Sequence, residues 1–153
     1  MIPLISALAD ARRASGLCQQ HIADGLGLGA KAGVSMVSAW EHGRNVPKVG
    51  HACGYAALVG RRVVVVRDGQ IVGDLLDVLP RLKEVLAEAG LTVADVAAGL
   101  FVNPISLRAT IRKASPETWL TSAISILGAA RYTLDLTPAV ECDADRLISG
   151  GVA

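Results

Sequence analysis

Aromatic side chains are scarce in this sequence, in which they make up 3% of the 153 residues. Because strands favour aromatic and β-branched side chains, this scarcity argues against a large β-sandwich. Apolar residues nevertheless reach 52%, and most of them are Ala, Val, Leu and Ile. These side chains suit closely packed short helices, so the composition predicts a mainly helical fold with a substantial core.

Cysteine is also rare, and the residue groups that usually carry catalysis are missing. Cys18, Cys53 and Cys142 lie too far apart to form a disulfide framework, which favours free thiols in a reducing cytoplasm. His51 and Cys53 have no second ligand pair at zinc-site spacing, so we expect no metal and no other cofactor. The sequence has no paired carboxylates and no nucleophile with a nearby base, and we therefore expect a protein that is not an enzyme.

Long apolar runs are absent as well. Val63–Val66 is far too short to span a bilayer, and the N-terminus has no basic stretch followed by a long apolar one. We therefore expect a soluble cytoplasmic protein without a membrane partner. The glycine-rich segment 25–33 could suggest a phosphate-binding loop, but it has no Gly-Lys-Ser or Gly-Lys-Thr and follows no predicted strand, so a flexible turn between helices is favoured.

The net charge of +1 hides an uneven distribution. Residues 1–70 contain eight Lys or Arg against four Asp or Glu, whereas residues 71–137 contain six against seven. Any surface that binds phosphate should therefore be strongest in the first half of the chain.

The chain contains an internal repeat. The segment 16–26 matches the segment 90–100 at a constant offset of 74 positions, and both segments begin with Gly-Leu and end with Gly-Leu. Two later matches keep the same order: Val37-Ser38 with Leu107-Arg108 at an offset of 70, and Pro47 with Pro116 at an offset of 69. Each copy then ends in a short β-prone run, 62–67 in the first and 131–136 in the second.

The repeat predicts the domain organisation. We expect a first domain over 1–70, a linker over 69–74, a second domain over 75–137 and a flexible tail over 138–153. The sequence leaves open whether the two terminal strands pair with each other.

Within each copy the spacing of apolar residues predicts a helix, a turn and a second helix. In the first copy Ser15-Gly16 ends the opening helix, Gln19–Leu26 forms the next, and a further helix follows over Val34–His42. In the second copy Thr92 and Asn103 are predicted N-caps. Leu107 and Ile111 should face inward, which turns the rest of that short basic helix outward.

The first copy resembles the Cro/C1-type, or lambda-repressor-like, helix-turn-helix family of transcriptional regulators. Two features carry the resemblance: a Gln at the start of the helix that follows Leu17-Cys18, and the pattern Trp40-Glu41-x-Gly43-x-x-x-Pro47. The second copy, through 91–100 and 103–116, looks like a more divergent relative. The resemblance therefore predicts a mainly α fold of two tandem helix-turn-helix domains, each ending in a short β-strand.

The resemblance also implies roles for individual side chains. Gln19 and Gln20 would touch phosphate or bases, Ser35, Ser38 and His42 would lie on the reading face, and Arg44 and Asn45 would grip the backbone. Trp40 and Glu41 would be structural. The first copy departs from the family pattern by four extra residues inside 27–33. Lys31 in this insert reaches a phosphate, or the recognition helix begins one turn earlier than Val34.

Both copies together predict a sequence-specific double-stranded DNA-binding repressor. Lys31, Arg44, Lys48 and Lys113 are the expected backbone contacts, while Ser35, Ser38, Asn103, Arg108 and Arg112 would discriminate bases, with Ser106 at the flank. The two recognition helices differ in sequence, so one chain could bind an asymmetric, bipartite operator as a monomer, with a homodimer as the alternative.

Two further readings stay beside this one. Tandem modules in a chain in which Arg outnumbers Lys eleven to four are similar to an actinobacteriophage immunity repressor. From another class, the chain could be a protein-interaction module, such as an antitoxin or a regulator's partner, whose second domain mediates dimerisation or partner binding.

Overall fold

The computed structural model describes residues 2–139, and in this range the protein is mainly helical with a small three-stranded antiparallel sheet. The helices are α1 (Pro3–Ala14), α2 (Gln19–Gly25), α3 (Ala30–Glu41), α4 (Val49–Leu58), α5 (Leu75–Val78), α6 (Leu82–Glu88), α7 (Val93–Leu100), α8 (Pro104–Arg112) and α9 (Leu120–Ala129). The strands are β1 (Arg61–Arg67), β2 (Gln70–Asp74) and β3 (Thr133–Pro138). The predicted tail lies outside the described residues from 140 onward.

The predicted helix caps of the second copy are confirmed. The Thr92 hydroxyl accepts a hydrogen bond from the Asp95 backbone N–H at 3.2 Å, and the Asp95 carboxylate accepts one from the Thr92 N–H at 2.8 Å. Asn103 Oδ1 accepts from the backbone N–H groups of Ile105 and Ser106, and Pro104 occupies the first helical position. Local capping chemistry therefore defines the start of both α7 and α8.

One sequence-based boundary is wrong, and the structure decides an alternative that the sequence left open. Most of the segment 69–74, expected to be a linker, forms β2, which pairs with β1 through a two-residue turn at Asp68 and Gly69. Both turn residues have positive φ, at 52° and 77°, as this type of tight hairpin requires. The first recognition helix begins at Ala30, one turn before Val34, so Lys31 lies on the helix itself.

One continuous apolar core runs through both copies. In the first copy it contains Leu8, Ile22 and Val37, and in the second it contains Leu79, Leu82, Val85 and Leu86. Val63 and Val65, in the buried middle of β1, belong to the same core. No helix of residues 2–139 is long and apolar enough to cross a bilayer.

The two terminal strands pair with each other, and equivalent residues of the repeat face one another. In the order β2-β1-β3 the central strand pairs antiparallel with both neighbours. Val64 of β1 lies opposite Asp135 of β3, which is 71 positions further along the chain. The same offset relates the first residues of α4 and α9, Val49 and Leu120.

A second pairing between the copies has the same offset. Lys48 and Trp119, the N-cap residues of α4 and α9, form an antiparallel bridge across 71 positions. Two equivalent hydrogen bonds accompany it: the Val49 N–H donates to the Thr118 carbonyl at 2.8 Å, and the Leu120 N–H donates to the Pro47 carbonyl at 3.1 Å. Residues that pair with their own equivalents at two separate places define an approximate two-fold axis within one chain. The copies are arranged as the halves of a symmetric dimer would be.

Candidate nucleic-acid interface

Helix α3 has an inner face and an outer face that follow the helical repeat. The inner face is buried and contains Gly33, Val37, Trp40 and Glu41. The outer face contains four of the predicted DNA-binding residues at spacings of four, three and four: Lys31, Ser35, Ser38 and His42. Lys31, Ser35 and His42 are exposed and Ser38 is half-buried. These positions form a single polar stripe along α3.

Helices α2 and α3 approach closely because small residues meet at their contact. A Cβ placed on Gly33 would lie 2.9 Å from the Cβ of Ala23 and 2.9 Å from that of Leu28. A real Cβ does not fit at that distance, so glycine at position 33 sets how near α3 lies to α2. Only residues 26–29 of the glycine-rich segment 25–33 form the turn between α2 and α3. Gly33 belongs to α3 and packs against α2.

A buried carboxylate fixes α3 against the rest of the first copy. Glu41 accepts hydrogen bonds from Arg12 Nε at 2.8 Å, Arg12 Nη2 at 3.0 Å, the Tyr55 hydroxyl at 2.5 Å and Gln19 Nε2 at 2.8 Å. Burial alone would raise the pKa of Glu41, but the hydrogen bonds from Arg12, Tyr55 and Gln19 outweigh it and hold the pKa below its usual value. Trp40 and Glu41 are buried structural residues, as predicted.

The two glutamines at the start of α2 are both engaged within the protein. Gln19 belongs to the Glu41 network, which fixes its side chain at the front of α2. Gln20 Nε2 donates to Asp24 Oδ1 at 2.7 Å on the exposed side of the same helix. Both residues are half-buried. A contact from either one to DNA would have to share or replace these hydrogen bonds.

The end of α3 carries a small polar cluster. His42 Nδ1 lies 2.8 Å from the Ser38 carbonyl oxygen and 3.3 Å from the Ser38 hydroxyl. Arg44 Nη2 donates to the same hydroxyl at 3.4 Å. Asn45 Oδ1 accepts from the Val46 backbone N–H at 2.8 Å, and both Arg44 and Asn45 are exposed. The structure thus brings Ser38, His42 and Arg44 together at the C-terminal end of the outer stripe.

Helix α8 presents a second exposed surface. Leu107 and Ile111 are buried as predicted, while Ser106, Arg108, Arg112 and the C-cap residue Lys113 are exposed. Two large apolar residues are exposed beside them: Ile105 at 74% and Phe101, in the preceding turn, at 96%. Asn103 uses its side-chain oxygen as the helix cap. Its predicted role in base reading would therefore fall to its amide NH₂ group.

The exposed surfaces of α3 and α8 occupy equivalent positions in the repeat. At the offset of 70 that relates Val37 to Leu107, Ser35, Ser38 and His42 correspond to Ile105, Arg108 and Arg112. Phe101 corresponds at the offset of 74 to Gly27, and both have positive φ, at 56° and 68°. Sequence reasoning missed Phe101, which lies in the turn before α8. The approximate two-fold axis relates two surfaces with different chemistry.

Lys48, predicted to hold phosphate, has partners in the second copy. Its ammonium group donates to Glu117 Oε2 at 2.6 Å and lies 5.6 Å from the centre of the Trp119 ring. This hydrogen bond lowers the pKa of Glu117 from its usual value. Lys48 thus joins the two copies beside their backbone pairing, and DNA would compete with Glu117 for it.

Two other kinds of site, a metal centre and a reactive thiol at Cys53, are not formed among the described residues. Within residues 2–139 no group of three or more His, Cys, Asp or Glu side chains is arranged to hold a metal ion. Burial raises the pKa of the Cys53 thiol to about 12, which leaves it protonated and unreactive near neutral pH. Comparisons with protein-family models, with curated proteins and with solved structures gave no match to this chain.

Proposed function

We propose that this chain is a sequence-specific double-stranded DNA-binding repressor that acts in the cytoplasm. In this proposal α2 with α3, and α7 with α8, are two helix-turn-helix units, and α3 and α8 are their recognition helices. One observation carries the proposal: two helices at equivalent positions of an internal two-fold arrangement both expose a side-chain stripe. Helix-turn-helix dimers bind DNA with two such helices related by a two-fold axis.

The chemistry of the two stripes supports this proposal. Hydroxyl, imidazole, amide and guanidinium groups make the hydrogen bonds that base edges and phosphates accept or donate. The segment 101–113 contains Arg108, Arg112 and Lys113 and no acidic residue. Lys31 and Arg44 supply exposed positive charge on the first copy. Arg108 and Arg112 are the strongest candidates for reading guanine, because Arg can donate two hydrogen bonds to guanine O6 and N7.

The proposed operator is asymmetric and bipartite. Since α3 and α8 expose different side chains, each would read a different short sequence, although the axis gives them symmetric positions. Their targets would lie about 34 Å apart along the duplex, or at a multiple of that distance. A single chain would then occupy the whole operator, whereas a helix-turn-helix dimer needs two chains to occupy a palindromic one.

Selection of binding sites from random duplex DNA with the purified protein tests the proposal. We expect a non-palindromic motif with two parts, and one chain per duplex when the complex is measured by light scattering. The affinity should fall steeply as salt rises, with a log–log slope that reflects the number of phosphates contacted. Recovery of no motif, together with no salt-dependent binding, would rule the proposal out.

A second candidate function is favoured by the exposed apolar residues at the start of α8. Phe101, Val102 and Ile105 are 96%, 46% and 74% exposed, and exposed apolar groups of this kind often mark a protein interface. In this candidate the second copy would hold a partner protein or a second chain. Its binding would vary little with salt, because apolar burial does not release counterions.

A further inference from the structure

The start of α8 combines a bulky aromatic residue with a backbone conformation that disfavours one. Phe101 has a φ of 56°, in the left-handed region that glycine adopts most easily, and its side chain is almost fully exposed. Its backbone ends α7 in the manner of a C-terminal glycine. The ring contributes nothing to the core and the backbone is strained, so the folded chain alone gives no reason for Phe at this position.

Phe101 and Ile105 lie beside the exposed arginines of the proposed reading surface. Ile105 stands where the first copy has Ser35, and Phe101 stands where the first copy has Gly27, whose φ is also positive. Ile105 is the second residue of α8, and the N-terminal end of a recognition helix is the part that lies nearest the bases. The same stripe continues into two exposed arginines, Arg108 and Arg112.

This combination of apolar and cationic groups fits one feature of DNA. The only apolar group on the base edges of the major groove is the 5-methyl group of thymine, and it lies between backbones that carry the phosphates. A protein partner that met 101–113 would have to match three positive charges and no negative ones around an apolar patch. DNA offers both matching groups together: thymine methyl groups for the apolar patch and phosphates for the positive charges.

We propose that Phe101 and Ile105 read thymine methyl groups in the half-site of the second copy. This inference rests on the proposed DNA-binding function and adds the base type that α8 selects. The first copy, with Gly27 and Ser35 at these positions, would not discriminate thymine by its methyl group.

Replacing thymine by uracil in the selected operator removes only the methyl groups and so tests the inference directly. In the half-site of the second copy each lost contact should weaken binding by about fourfold, the equivalent of one buried methyl group. The other half-site should be far less sensitive. If a duplex with uracil at every thymine of that half-site binds as tightly as the thymine duplex, the inference is overturned while DNA binding itself stands. If selection recovers no site at all, the proposed function fails instead.

Two variants assign the effect to these residues. Ile105→Ser introduces the residue that the first copy uses, and Phe101→Gly removes the ring from a backbone that suits glycine. Both side chains are exposed, so the thermal unfolding of the variants should resemble that of the parent protein. We expect each variant to bind thymine and uracil duplexes with a smaller difference than the parent.

Ile71→Ser is the matched control, because Ile71 is 51% exposed on β2 and lies outside both stripes. It should keep the full preference for thymine. The inference is wrong if Ile105→Ser and Phe101→Gly also keep that preference, or if they weaken binding to the thymine and uracil duplexes equally. The two side chains would then serve another role, such as a protein contact.

Discussion

At the scale of single residues, the first copy depends on one buried carboxylate where the second copy uses apolar packing. The residues of the polar network, Arg12, Gln19, Glu41 and Tyr55, correspond in the repeat to Leu86, Val93, Ile111 and Ile126. Glu41 is 5% exposed, and its equivalent Ile111 is 7% exposed. The same position in the fold thus accepts either a hydrogen-bonded ion pair or a hydrophobic side chain. Buried ion pairs and hydrophobic residues of similar volume often give proteins similar stability.

Removing only one partner of the ion pair should be far more damaging than replacing the whole network. In Glu41→Ala the Arg12 guanidinium stays buried without its carboxylate, and we expect a loss of about 3–5 kcal/mol in the free energy of unfolding. Urea denaturation followed by circular dichroism measures this change. Glu88→Ala, which removes an exposed carboxylate from α6, should stay within about 0.5 kcal/mol of the parent. Equal losses in both variants would contradict the role of Glu41.

The same carboxylate predicts a dependence of stability on pH. Because the pKa of Glu41 is lowered in the folded protein, its contribution is present above the usual glutamate value and is lost as the pH falls through the folded value. Stability measured between pH 7 and pH 3 should therefore decline towards acid. Glu41→Gln cannot titrate at this position and should show a shallower decline, so an unchanged slope in that variant would disprove the assignment.

Gly33 is the second residue whose identity is fixed by its surroundings. Its Cβ position is occupied by Ala23 and Leu28, so Gly33→Ala should push α3 away from α2 even though alanine favours helices. We expect a destabilisation of about 1–3 kcal/mol, which is typical of overpacking. Gly99→Ala is the control, since nothing lies within 4 Å of its Cβ position in α7. Thermal unfolding that ranks Gly33→Ala at or above Gly99→Ala would contradict this packing.

At the scale of the helix and strand, the second copy was the easier one to predict. Its helices α7 and α8 begin with local signals, Thr92 and the Asn103-Pro104 pair, which act within one turn and are readable in the sequence. The sequence left the start of α3 open between two positions, because Gly29, which has a φ of 84°, precedes the helix without a side-chain cap. The Glu41 network joins residues up to 29 positions apart, and no local spacing indicates such a contact.

Strand β2 was missed for a different reason. The residues Asp68-Gly69 between two runs with β-forming residues are a strong signal for a hairpin, but the repeat suggested a boundary between domains at the same place. Arg62 of β1 links all three strands, because its guanidinium donates to Asp74 of β2 and to Thr137 of β3.

Replacing a basic side chain by alanine should affect DNA binding in one of two ways, depending on whether that side chain contacts a base or a phosphate. If Arg112 reads a base, Arg112→Ala should cost roughly 1–3 kcal/mol at one position of the operator and relax its preference there. If Lys31 contacts phosphate, Lys31→Ala should weaken binding to all sequences alike and reduce the salt slope by about one. Competition binding against a panel of single-base operator variants separates the two patterns. A uniform loss in Arg112→Ala would contradict its role.

At the scale of the whole molecule, the two copies should unfold together. They share a continuous core, a sheet in which β1 pairs with β3, and the ion pair from Lys48 to Glu117. The chain contains two tryptophans, and each copy holds one, Trp40 in the first and Trp119 in the second. They therefore report separately on the two halves.

We expect one cooperative transition in denaturant for both halves. In Trp119→Phe the remaining fluorescence follows the first copy, and in Trp40→Phe it follows the second. Within each variant the fluorescence midpoint should coincide with that from circular dichroism, even though the loss of the buried Trp40 side chain lowers overall stability. Separate midpoints in either variant would mean that the copies fold as independent domains.

The pairing of Val64 with Asp135, two different residues at equivalent positions, allows changes in this chain that two identical subunits do not allow. In a homodimer, residues on the axis face copies of themselves, so every mutation is made twice and both halves of a binding site change in step. Here the facing positions are separate codons in one reading frame. A substitution alters one side alone, and each half can acquire its own preference without disturbing the other.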